Sequence, residues 1–177
     1  MRTFLLSIAL MTIVSCVGIP EGVEPVRNFD LDRYLGTWYE LARLDHRFER
    51  GLSHVSAYYQ KRSDGGIDVL NRGYDASKNR WKEASGRAYF VSDENIGHLK
   101  VTFFWPFYSG YNIVWLDAEY NHAIVTGPNE KYLWYLSRTE KIDEATWNFF
   151  IVHAESLGFN VEGLIKVEHD QELSDRS

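Results

Sequence analysis

Between residues 38 and 138 the chain repeats one form of organisation, a short stretch of strand-forming residues followed by a cluster of turn formers. The strand patterns run over 38–44, 55–60, 67–74, 81–91, 98–104, 111–116, 122–126 and 132–138. Short strand patterns at such intervals mark an all-β architecture. Ser63-Asp64-Gly65-Gly66 is a hairpin signal, because its residues suit the tight turns that join antiparallel strands. Residues 75–79 and 92–97, and Gly127-Pro128-Asn129-Glu130, turn the chain elsewhere. Eight consecutive antiparallel strands without an obvious exposed edge are best accommodated by closing the sheet on itself, at a size that holds one small ligand. The pattern therefore predicts an eight-stranded antiparallel up-and-down β-barrel, with an open sandwich as the competing architecture.

Beyond residue 138 the period becomes helical. Asp143 can cap a helix running to residue 157, and Gly158 is placed to end it. Ala145, Phe149, Val152 and Ser156 make one face, which Trp147, Phe150, Ile151 and Ala154 broaden. Such a C-terminal α-helix is expected to pack on the outside of the barrel. Ile165-Lys166-Val167 adds a short further strand, and residues 171–177 form a loose polar tail.

Arg33-Tyr34-Leu35-Gly36-Thr37-Trp38-Tyr39-Glu40 leads into the first strand. Gly36 lets the backbone turn where a side chain would not fit, and Trp38 offers a flat face on which a guanidinium can lie. Arg138 is the expected partner, and its contact with Trp38 would close one end of the barrel. Together with Asn28-Phe29-Asp30-Leu31-Asp32, this stretch resembles the opening segment of the lipocalins, in which a short helical turn precedes the first strand. Leu136-Ser137-Arg138 resembles that family's closing arginine motif. Asp117-Ala118-Glu119-Tyr120-Asn121-His122-Ala123 resembles its middle motif, with Glu119 where Asp is usual. His46-Arg47-Phe48-Glu49-Arg50-Gly51 and Phe103-Phe104-Trp105-Pro106-Phe107-Tyr108-Ser109-Gly110-Tyr111 bring the chain nearest to the bacterial outer-membrane lipocalins. The resemblance runs over about residues 28–168, so residues 28–170 are expected to be the barrel and its helix.

Cys16 is the only cysteine, which leaves no internal disulfide. Met1-Arg2 supplies a positive charge, and residues 3–14 form an apolar run suited to a signal peptide and too short to span a bilayer comfortably. Ile13-Val14-Ser15-Cys16 resembles the bacterial lipoprotein cleavage box, in which the cysteine becomes the lipid-modified first residue. Residues 1–15 are then removed, and the resemblance implies several acyl chains on Cys16, enough to anchor firmly where one chain holds only marginally. Val17 stands where members retained in the inner membrane usually carry Asp, which implies a periplasm-facing outer-membrane protein. Residues 16–27, punctuated by Gly18, Pro20, Gly22 and Pro25, are expected to form an extended tether reaching roughly 30 Å. With 177 residues, 45% of them hydrophobic, the chain can bury one core in one domain. A net charge of −6 argues against nucleic acid as a partner.

Alternation fixes which side chains share a face. If Arg138 turns inward onto Trp38, then Leu136, Trp134 and Tyr132 follow it. The same parity points Val55, Ala57 and Tyr59 inward, with Ile67, Val69 and Asn71, then Leu99, Val101 and Phe103, then Tyr111, Ile113 and Trp115. The candidate ligand-lining residues are therefore Ala57, Tyr59, Val69, Asn71, Leu99, Val101, Phe103, Tyr111, Ile113, Tyr132 and Trp134. Ala57, Gly86 and Ala88 would leave space inside, against the alternative of a barrel packed solid. Such a lining suits a long apolar ligand with a modest polar end. The resemblance implies fatty acids or lysophospholipids, and it is compatible with a homodimer. The aromatic loop at 103–111 is either a mouth that touches lipid, a self-packed loop or a dimer contact.

Catalytic and metal-binding patterns do not stand out in the chain. The six histidines show no HExxH or comparable spacing, and neither Gly-x-Ser-x-Gly nor a phosphate loop occurs. Glu40 shares the inward parity of Trp38 and needs a partner, with Arg87 or Arg138 as candidates. The expectation is a non-catalytic, lipid-anchored lipocalin without cofactor or metal that binds, stores or transports lipid for membrane maintenance. A structural envelope lipoprotein with a filled barrel is the alternative.

Overall fold

Asp30 sets where the chain turns into the barrel. Its carboxylate accepts the backbone N–H groups of Asp32 and Arg33 and caps a single helical turn, α1 (Leu31–Tyr34). Gly36 follows at φ 93°, a conformation that strains any residue bearing a Cβ. The computed structural model describes residues 17–170. The expected signal peptide at 1–15, Cys16 and the tail at 171–177 lie outside the described residues.

The strands are β1 (Gly36–Leu44), β2 (Leu52–Lys61), β3 (Ile67–Asp75), β4 (Arg80–Phe90), β5 (His98–Phe104), β6 (Phe107–Leu116), β7 (His122–Thr126) and β8 (Leu133–Ser137). A helix, α2 (Glu144–Ser156), and a last strand, β9 (Leu164–Lys166), complete the chain. Each of β1 to β7 pairs antiparallel with the next strand, and β1 also pairs with β8, so the sheet closes into the expected up-and-down barrel. That ladder rules out the sandwich.

At the closed end the three motifs meet. The Arg138 guanidinium lies over the Trp38 ring, 3.9 Å from its centroid. Its Nη1, Nη2 and Nε donate to the carbonyls of Thr37, Arg33 and Tyr120 at 2.7, 2.9 and 3.2 Å. The Tyr120 hydroxyl accepts from the Asp30 backbone N–H, and Arg33 lies over the Tyr120 ring. One side chain therefore ties the start of β1 to the end of β8 and to the β6–β7 turn.

Two apolar clusters flank the sheet. The inner one includes Trp38, Tyr59, Ile67, Val69, Leu99 and Ile113. The outer one joins Ala42, Ile124, Leu133 and Tyr135 to Phe150 and Ala154 of α2, with the Tyr135 and Phe150 rings stacked at 4.3 Å. Asp143 caps this helix as expected. Its contact face differs, because Ala145, Phe149, Val152 and Ser156 are exposed while Trp147, Phe150, Ile151 and Ala154 pack. A helix with apolar residues on both sides does not reveal which side the barrel wall takes.

Three further departures from simple alternation arise from register. A slip between Ile113 and Trp115 sends Trp115 outward against Phe149 and His153, as a bulge does when it inserts one residue. A second slip in β1, between Glu40 and Ala42, leaves both Glu40 and Arg43 buried. The aromatic segment is a tight hairpin rather than a long loop, with Phe104 paired to Phe107 across Trp105 and Pro106.

Residues 17–27 are not a free tether. The Val26 N–H donates to the Ile113 carbonyl and the Gly97 N–H to the Val26 carbonyl, while the Asn112 side chain donates to the carbonyls of Gly18 and Gly127. Gly110 permits this approach, since a Cβ there would lie 2.6 Å from the Gly18 carbonyl oxygen. The segment is a strap docked on the outer wall.

Replacing Arg138 by Met is expected to cost about 3 kcal/mol in urea unfolding, from the loss of charge-assisted hydrogen bonds and the ring contact. Arg138→Lys, which keeps the charge but loses the fork, recovers less than half of it. A loss near zero would show that the lid does not hold the barrel.

Candidate functional site

Residues directly opposite each other on neighbouring strands share a face. Ala57 faces Asn71, Tyr59 faces Val69, Ala88 faces Val101 and Leu99 faces Tyr111, which places the inner wall. Tyr59, Val69, Leu99 and Ile113 are buried towards the closed end. Ala57, Asn71, Val101, Tyr111, Tyr132 and Trp134 are only half-buried. Phe103 is exposed at the rim, and its ring occupies the space beside Gly86, where a Cβ would meet Phe103 Cδ1 at 2.7 Å. The room expected at Gly86 is thus filled by the protein itself.

The floor carries three linked phenols. Tyr111 Oη lies 2.7 Å from that of Tyr34 and 2.8 Å from that of Tyr59. Burial, the largest influence on each, pushes all three up from the ordinary phenol value, so they stay neutral.

Above them sits a charged cluster. Arg43 Nη1 donates to Glu40 Oε1 at 2.7 Å, and Nη2 donates to the carbonyls of Glu49 and Leu52, both at 2.9 Å. Trp134 Nε1 donates to Glu49 Oε2 at 3.0 Å, and His46 Nε2 lies 3.0 Å from the same oxygen. These contacts pin the β1–β2 connection, residues 45–51, over the upper barrel. Burial, then the adjacent Glu49 carboxylate, pushes Glu40 well above the usual carboxylate range, with Arg43 opposing. Burial also works against ionisation of Glu49, but His46, Trp134 and Arg43 together outweigh it and hold that carboxylate below its ordinary value. The two carboxyl groups are thus shifted in opposite directions.

The expected partners of Glu40 were Arg87 and Arg138. Arg87 is exposed and Arg138 is engaged at the lid; the bulge supplies Arg43 instead. Strict alternation points Arg43 outward, and nothing in sequence periodicity brings His46 and Glu49 from a loop into the barrel. The segment His46-Arg47-Phe48-Glu49-Arg50-Gly51, which ties the chain to the bacterial lipocalins, was the available signal. Among the described residues no group of three or more His, Cys, Asp or Glu side chains could hold a metal ion.

Burial raises Glu40 in the folded state above its unfolded value. Its stabilising contribution is therefore complete below the unfolded pKa and is lost as the pH rises towards the folded value. Glu40→Gln mimics the protonated acid. The variant and the wild type are expected to melt together at about pH 4 and to diverge towards about pH 7, with the variant the more stable. A less stable variant at neutral pH in calorimetry would show Glu40 ionised against Arg43.

The family of lipocalin-like domains matches residues 29–169. The chain is 51% identical over 169 residues to outer membrane lipoprotein Blc of Vibrio cholerae, covering 95% of this chain and 99% of that protein. It is 50% identical to outer membrane lipoprotein Blc of Escherichia coli K12 over 84% of each. It is 33% identical to temperature-induced lipocalin-1 of Arabidopsis thaliana over 81% of each. Insecticyanin of the tobacco hornworm Manduca sexta shares the fold, with a TM-score of 0.69 at 18% identity over 88% of each chain. The closed barrel, the Trp38–Arg138 lid and these matches agree that the chain belongs to the lipocalin family.

Proposed function

We propose that this protein is a lipid-anchored outer-membrane lipocalin that holds an acyl lipid, a lysophospholipid or a fatty acid, and stores or transports it for membrane maintenance. The observation that carries this reading is the partial exposure of Ala57, Asn71, Val101, Tyr111, Tyr132 and Trp134, all on the inner wall. In a solidly packed barrel these side chains would be buried as completely as Ile113. Burying a sixteen-carbon chain against such a wall contributes on the order of 10 kcal/mol gross, before the cost of ordering it. Likeness to outer membrane lipoproteins supports the address and the anchoring role of Cys16. Nothing in the site is arranged for bond making, and the reading is non-catalytic.

The rim supports lipid exchange. Phe104 and Trp105 are 76% and 78% exposed, with Phe48, Phe103 and Phe107 exposed beside them. Aromatic side chains favour the membrane interface. The docked strap brings Gly18 against Pro128 of the β7–β8 turn at the same end.

The purified protein is expected to take up one palmitoyl lysophospholipid or palmitate per binding site. Ala57→Trp or Val101→Trp, which fill the channel, should lower that uptake at least about tenfold without loss of fold. Uptake unaffected by either substitution would place the lipid elsewhere. Trp105→Ser is expected to slow lipid transfer between vesicles several-fold while leaving uptake from solution intact; an unchanged transfer rate would assign the rim to self-packing or to a dimer.

A further inference from the structure

Two buried side chains in the upper barrel carry nitrogens without a protein partner. Arg43 is 1% exposed; three of its hydrogen bonds use Nη1 and Nη2, and Nε–H meets no partner. His46 is 7% exposed, its Nδ1 meets no partner, and its Nε2 contact with Glu49 falls short of hydrogen-bond alignment. A buried donor left without an acceptor costs about 1–3 kcal/mol, and more when charged. The two groups are joined through Glu49, whose backbone carbonyl accepts from Arg43 and whose carboxylate meets His46. The His46 ring sits against Tyr132 and Trp134, 5.7 and 5.2 Å between centroids, and both of those side chains are half-buried on the inner wall. What the cluster lacks is an acceptor on the side of the barrel interior.

We propose that Arg43 and His46 form an oxyanion subsite that takes the charged end of the acyl ligand, a phosphate or a carboxylate, while its chain runs down towards Tyr59 and Tyr111. The inference rests on the reading of the barrel as a lipid holder and adds the orientation and the charge of the ligand. Arg43 Nε and the His46 ring donate to ligand oxygens, and the Trp134 and Tyr132 rings flank the first carbons of the chain. Phosphate and carboxylate share this chemistry, and matched ligands separate them.

The test is displacement of the neutral fluorophore N-phenyl-1-naphthylamine from the mature protein by two pairs of sixteen-carbon compounds. Palmitoyl lysophosphatidate and monopalmitoylglycerol differ by the phosphate; palmitate and hexadecanol differ by the carboxylate. At least one anionic member is expected to bind about tenfold tighter than its neutral partner, and the pair that shows the gap names the oxyanion. Arg43→Lys and His46→Phe are expected to narrow that gap to about threefold or less. Equal affinities within both pairs in the wild type overturn the subsite, and this arm needs no variant to fold. A gap that survives in both folded variants overturns the assignment to Arg43 and His46. Failure of all four compounds to bind removes the lipid-holding reading itself, and the subsite with it.

Discussion

Barrel closure rests on Arg138 lying across Trp38. A closed sheet of eight strands has to bring together residues a hundred positions apart, and the contact between them is a delocalised cation on an indole face plus donors aimed at three carbonyls. Those carbonyls belong to the chain before β1, to β1 itself and to the β6–β7 turn, so the guanidinium occupies a junction that no backbone ladder could fill. Lysine offers the charge without the planar fork. These contacts seal this end of the barrel.

The open half depends on a single bulge. The slip in β1 lets Glu40 and Arg43 meet three residues apart inside the barrel, where a regular strand would send one of them outward. Arg43 then reaches across to the Leu52 carbonyl on β2 and the Glu49 carbonyl in the connection, bridging a seam where β1 no longer pairs with β2. The C-terminal chain closes the same seam from outside: β9 takes the free edge of β1, the Val167 N–H donates to the Leu41 carbonyl and the His54 N–H donates to the Glu168 carbonyl. Charged groups thus serve as mortar where the β-ladder is interrupted, and that is also where polar chemistry faces the channel.

The fold was legible because strand and turn patterns repeat at even spacing and because Gly36, Trp38 and Arg138 each perform a task few other residues can. The inner wall was legible wherever β-pairing is regular, as at Ala57, Val69, Leu99 and Val101. Bulges were not, because one inserted residue reverses the parity of every later position in its strand and leaves no mark in hydropathy; Trp115 and Arg43 both moved for this reason. The docked strap depends on Gly110 and Asn112 of β6, whose meaning appears only once another segment lies against them. The α2 face was ambiguous because Phe149 and Val152 are as apolar as Phe150 and Ala154.

The central claim is that the barrel holds a membrane lipid. Native mass spectrometry of the protein isolated from its own envelope, with organic extraction of whatever leaves it, tests this most directly. A bound lysophospholipid or fatty acid is expected at one per binding site, lost when Ala57 or Val101 is changed to Trp. Empty protein that also refuses added lipid would contradict it, and the interior would then be packing alone.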